Sequence, residues 1–149
     1  MVKKICLLLA VLLTLFCFAS CGSGDVPTAK GDLAAVVGMY QGDRCAVTIE
    51  RKSGDTVSVY AMWGESALNA TEWKLTGTFD PQTNCLTYSD CTCRHVTYDE
   101  HGSVAEEKVE YENGTGTMRF AEDGSFTWQS EPDAAQFDAV TFEKLPQAQ

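Results

Sequence analysis

The chain has 149 residues and a formal net charge of −10, from 21 acids against 11 bases. An acidic surface excludes an electrostatic grip on nucleic acid or on anionic lipid headgroups, since both need clustered Lys and Arg. Four prolines, seven phenylalanines, three tryptophans and 44% apolar residues exclude a disordered chain and suit a single core of about 110 residues.

Met1–Lys4 is a short basic start, and Ile5–Phe18 is apolar with Thr14 as its only hydroxyl. That run falls short of the roughly 20 residues a helix needs to cross a bilayer. Residues 1–20 therefore read as an export signal rather than a permanent anchor. Losing Lys3 and Lys4 with it takes the formal charge from −10 to −12. Phe18-Ala19-Ser20-Cys21-Gly22 resembles the lipobox of bacterial lipoproteins. The resemblance implies that Cys21 is acylated and becomes the first mature residue, with the membrane as partner through this N-terminal lipid anchor. The expected location is the outer face of the cell membrane. Residues 21–32, running through Gly22–Asp32 (GSGDVPTAKGD), are small, polar and aperiodic, as a flexible tether requires.

From Leu33 onward apolar residues alternate and turn chemistry recurs every eight to twelve residues, so residues 33–146 read as one all-β domain. A first strand lies near Gly38-Met39-Tyr40. Arg44–Lys52 sets Cys45, Val47 and Ile49 on one face, and Thr56–Trp63 does the same with Val57, Val59 and Ala61. Glu72–Phe79 holds Trp73, Leu75 and Phe79 in phase. Cys85–Ser89, Thr92–Tyr98, Val104–Tyr111, Thr115–Ala121, Ser125–Gln129 and Val140–Leu145 follow. Ser53-Gly54-Asp55, Asp80–Asn84, Asp99–Ser103, Asn113-Gly114 and Glu122-Asp123-Gly124 supply turns. Glu131–Phe137 suits one helical turn, with Pro132 early in it. Nine or ten short strands joined by tight turns predict an antiparallel meander. The expected architecture is a small lipocalin- or calycin-like barrel, whose closure removes exposed edges; a β-sandwich is the alternative. The glycine-x-aromatic phrase Gly38-Met39-Tyr40 resembles the opening of lipocalin-like barrels.

Longer phrases are similar to a recurrent domain of predicted surface lipoproteins in gut Firmicutes. They are Asp43-Arg44-Cys45, Val59–Gly64, Glu72–Asp80, Leu86-Thr87-Tyr88, Tyr111–Gly116 and Gly124–Trp128, spread over residues 38–143. Their aromatics, glycines and turn residues are structural in kind. The resemblance implies a fold and an address but no reaction.

Four cysteines remain after Cys21: Cys45, Cys85, Cys91 and Cys93. An even number in an exported domain reads as two disulfides with three possible pairings. Cys91 and Cys93 stand on one face of a strand, where a bond between them is strained, so Cys45–Cys91 with Cys85–Cys93 is the expected pairing. Cys91-x-Cys93-x-His95 lacks the usual zinc spacing, and neighbours about 6.5 Å apart along a strand suit a tetrahedral ion poorly. No metal or cofactor is expected. Asp99, Glu100, Glu106, Glu107, Glu110 and Glu112, with His101, read as a solvated face without calcium-loop spacing. Trp63-Gly64-Glu65-Ser66-Ala67 is not a nucleophile elbow, and neither histidine has a nucleophile beside it. Tyr40, Trp63 and Tyr88 are the candidate lining of a pocket if the barrel keeps a cavity; otherwise they are core. The sequence thus predicts a non-enzymatic, lipid-anchored surface domain that binds a small ligand or a surface protein. A structural or hydrolase-inhibiting envelope lipoprotein is the alternative.

Overall fold

Short turns return each strand beside the one before it. Asp43, Gly54, Asn84, Gly102 and Gly124 occupy the left-handed backbone region at five of these reversals, the conformation that Asn, Asp and Gly adopt at least cost. The computed structural model describes residues 31–146, so the leader, Cys21 and the tether up to residue 30 lie outside the described residues. The elements are α1 (Leu33–Val36), β1 (Gly38–Gly42), β2 (Cys45–Ser53), β3 (Thr56–Gly64), β4 (Asn69–Asp80), β5 (Cys85–Tyr98), β6 (Val104–Phe120), β7 (Phe126–Ser130), α2 (Ala134–Phe137) and β8 (Thr141–Lys144).

Every strand pairs antiparallel with its neighbours in sequence, and β8 returns to β1 through Tyr40 opposite Lys144 and Gln41 opposite Glu143. The meander is therefore a closed barrel, not a sandwich. It has eight strands rather than nine or ten, because two expected pairs of strands are continuous. Cys85–Ser89 and Thr92–Tyr98 join as β5, while Val104–Tyr111 and Thr115–Ala121 join as β6. Asn113-Gly114 is accordingly no hairpin turn. Asn113 has φ 58°, and Gly114 sits opposite Cys91, where the register shifts on both sides. The left-handed residue makes a bulge that bends two long strands around the barrel instead of reversing the chain.

The inward positions hold the apolar set. Tyr40, Val47, Ile49, Val57, Trp73, Leu86, Met118, Phe126, Trp128 and Phe142 are essentially inaccessible. Trp128 touches rings from several elements: it stacks on Phe137 at 4.2 Å and 9°, and meets Trp73 edge-on at 6.1 Å. Phe137 comes from α2 and covers one end of the barrel, packing edge-on against Trp63 as well. At the other end α1 buries Leu33 and Val36; its Asp32 cap accepts from the Ala34 amide at 2.9 Å, and the Tyr40 hydroxyl donates to Val36 O. Gly116 has no room for a side chain. An added Cβ would lie 2.3 Å from Gln129 O and from the Tyr88 hydroxyl.

The expected disulfides are absent: Cys45, Cys85, Cys91 and Cys93 are all free thiols. Cys85 and Cys93 belong to the same continuous strand, eight residues apart, or about 26 Å along extended chain. A disulfide needs α-carbons within about 7 Å. Cys45 on β2 and Cys91 on β5 are separated by β3 and β4.

Removing the indole at the centre of this core, in Trp128→Ala, should cost about 3–5 kcal/mol in urea unfolding. Gly116→Ala, which forces a methyl into backbone, should cost about 1–3 kcal/mol. A parent-like midpoint for both would refute the packing described.

Candidate functional site

The three aromatics expected as a pocket wall are core. Tyr40 and Trp63 stand near opposite ends, and Tyr88 accepts the Trp128 indole N–H at 2.8 Å. All three are at most 8% exposed, and burial pushes the Tyr40 and Tyr88 hydroxyls up to about 12. Trp63 is nearest a mouth, capped by Phe137 inside and by the Arg44 guanidinium 5.6 Å from its ring.

Under α2 the interior carries a polar knot that alternation alone did not reveal. Asp133 occupies the N-cap position of α2, but its side chain makes no capping bond. Its carboxylate instead accepts from the Trp73 indole at 3.0 Å, from Ser130 at 3.2 Å and from the Tyr111 hydroxyl. Burial and the hydrogen bond to Asp133 both push the Tyr111 hydroxyl far up, so it stays a donor. The knot ties α2 to β4, β6 and β7 and holds Phe137 in the barrel end.

A cleft of about 610 Å³ lies on the outer wall. Strand alternation places Thr48 and Glu50 of β2, Ser58 and Tyr60 of β3, and Glu72, Lys74 and Thr76 of β4 on that wall, with Asp90 and Arg94 of β5 beside them. A register shift between β4 and β5 at Lys74–Gly77 frees the Thr76 amide, which donates to Asp90 Oδ1 at 2.9 Å. Lys74 Nζ lies 5.7 Å over the Tyr60 ring, a cation–π contact.

Glu72 anchors the floor. It is only 4% exposed and stands opposite Arg94 in the register. Arg94 donates to Glu72 Oε2 through Nη2 at 2.8 Å and Nε at 3.1 Å, and its Nη1 reaches Glu107 at 2.7 Å. The Tyr98 hydroxyl donates to Glu72 Oε1 at 2.7 Å. Burial alone would raise the Glu72 carboxyl, but hydrogen bonds from Tyr98, Tyr60 and Arg94 outweigh it and hold the group below its usual value of 4.5. A carboxylate kept ionised in this way is a fixed charge and a poor general acid or base at neutral pH.

The remaining sequence candidates do not assemble into a reactive centre. Cys91 and Cys93 face the interior, as their spacing implies, and burial pushes both thiols up to about 12, as it does Cys45. The reactive thiolate is thereby suppressed. His95 turns to Glu65, 3.5 Å away, and His101 to Glu100. Among the described residues no three His, Cys, Asp or Glu side chains converge as metal ligands would. Glu72 and Arg94 escaped the sequence reading because their pairing depends on cross-strand register. Asp133 escaped it because an acid before a helical turn ordinarily caps that turn. Comparison with family models, with curated proteins and with solved structures finds no match.

Glu72→Gln should cost about 1–3 kcal/mol at pH 7, because Arg94 loses its buried carboxylate partner. The folded carboxyl sits below 4.5, so its contribution is complete above that value and is lost as pH falls through the folded value. Parent and variant stabilities should therefore converge in acid; a gap of constant size from pH 7 to pH 3 would refute the charge assignment. Iodoacetamide should modify none of Cys45, Cys85, Cys91 and Cys93 in the folded domain and all four after unfolding, read by mass spectrometry.

Proposed function

We propose that this chain is a non-enzymatic, lipid-anchored surface protein, exported and held at the outer face of the cell membrane through acylated Cys21. In this reading the β-barrel is a recognition domain that uses its outer wall rather than its interior. The observation that carries the proposal is the contrast between the two surfaces of the sheet. Among the described residues the inner one is packed with buried rings, with α1 and α2 at its two ends, unlike the vacant interior of a ligand-carrying barrel. The outer one carries a cleft with hydroxyls, both signs of charge and one aromatic face, the mixture that suits a polar ligand or a partner's side chains. The Glu72–Arg94 pair gives that cleft a rigid floor whose charges are already matched.

The similarity of Asp43–Cys45, Glu72–Asp80 and Tyr111–Gly116 to Firmicutes surface lipoproteins supports the address, as does the lipobox-like Phe18–Gly22. The second reading, a structural or hydrolase-inhibiting envelope lipoprotein, draws on the same filled barrel, because a rigid body can present a fixed element to an enzyme.

Cys21→Ser should move the protein from the membrane fraction into the medium, since acyl chains contribute about 0.8 kcal/mol per buried CH₂ and the acidic domain has no other hold on lipid. Unchanged fractionation would refute the anchor. On an array of surface glycans and peptides, binders of the parent should be lost by Tyr60→Ala and Lys74→Ala, which leave the core intact. Binders that survive both changes would remove the cleft from the recognition surface.

A further inference from the structure

We propose that the outer edge of β6 from Val104 to Gly114 is a docking edge for an extended, Lys- or Arg-rich strand of a partner protein. The inference rests on the reading of the domain as a partner-binding module and supplies the class of partner.

The barrel is closed only over part of its height. On one side β6 is laddered to β5 from Val104 to Arg119. On its other side β7 covers Gly116–Phe120 alone. Among the described residues nothing pairs with the second edge of β6 between Val104 and Gly114. Every second residue of an antiparallel strand directs its N–H and C=O to the same side, so this stretch offers about five residues' worth of unsatisfied backbone donors and acceptors. The strand is also open to solvent: Val104 through Glu110 are all exposed, and Val104 and Val109 are 56% and 50% accessible.

An exposed edge of this length templates pairing unless it is blunted, most often by lysine, proline or a covering loop. No proline interrupts Val104–Gly114, and its single cation, Lys108, is drawn onto Glu110 at 2.9 Å. What blunts the edge is negative charge, from Glu106, Glu107, Glu110 and Glu112. That choice selects the occupant. A second copy would set four glutamates against four, and like charges opposite one another destabilise a strand pair. A basic strand meets opposite charges at the same positions and can lay an aliphatic side chain beside Val109. Backbone bonds would supply the pairing and the glutamates the sign of the partner, as in other strand-addition complexes.

The test uses the intact protein in detergent and three synthetic octapeptides. One alternates lysine with valine or threonine, one replaces each lysine by glutamate, and one is the lysine peptide N-methylated at alternate residues. The lysine peptide should bind, and exchange of those amides of residues 104–114 that are not laddered to β5 should slow at least tenfold on binding. The glutamate peptide should not bind. The N-methylated peptide keeps the charge but loses half of its backbone donors, and its Kd should be at least tenfold weaker. Glu106→Lys with Glu110→Lys, both on exposed side chains, should weaken the lysine peptide by a similar factor. Equal binding of the methylated peptide would reduce the contact to surface charge and overturn the proposal. So would slow exchange, before any peptide is added, of the amides on the free side of β6, those not laddered to β5, since the edge would then already be occupied. Either result leaves the cleft binders of Tyr60 and Lys74 untouched, so failure of the edge is distinguishable from failure of the recognition reading.

Discussion

Closure of the sheet depends on the stacked pair Trp128–Phe137. A barrel this small has no interior unless side chains fill it, and closing the hydrogen-bond ring brings eight inner faces into one volume. Trp128 fills the middle, touching Trp73, Tyr88 and Phe142 as well as Phe137. The seams beside β8 are short, with two ladder pairs to β7 and two to β1. Packing rather than strand pairing therefore holds the last strand in place. Asp133 completes the arrangement by fastening α2, so that Phe137 serves as core and as lid together.

In the proposed reading, a filled interior sends recognition outward. In a ligand-carrying barrel the inner wall is partly vacant and the outer wall is passive. Here the aromatics that could have lined a vacancy are consumed by each other, and the outer wall carries the cleft, the matched Glu72–Arg94 pair and the unpaired edge of β6. The last two meet at Arg94, which bonds Glu72 in the cleft floor and Glu107 on the edge strand. A partner strand laid along β6 would thus adjoin the cleft, and the two surfaces would form one continuous acidic-rimmed face.

The thiols show how context changes the meaning of a residue count. Four cysteines in a chain read as exported ordinarily signal cross-links, but Cys45, Cys91 and Cys93 sit in the apolar core. Burial disfavours the thiolate that would start disulfide exchange, and the long β5 keeps Cys85 and Cys93 far apart. Stability in this domain comes from rings, not staples.

Much of this was legible in the sequence. Alternation by itself determined the strands, their inward faces and the meander, because side-chain period and turn chemistry are local. It also determined that Trp73 and Trp128 would be buried, since both are in phase with apolar neighbours. Tertiary structure alone decided whether Asn113-Gly114 would reverse the chain or bulge it, because that depends on the strand lying opposite. It decided the fate of Tyr40, Trp63 and Tyr88, because whether a ring lines a cavity or fills it is set by what enters from elsewhere, here Phe137. It paired Glu72 with Arg94 and turned Asp133 inward, since both depend on register across strands far apart in the chain. And it left β6 longer than β7, which is why one edge of a closed barrel stands open.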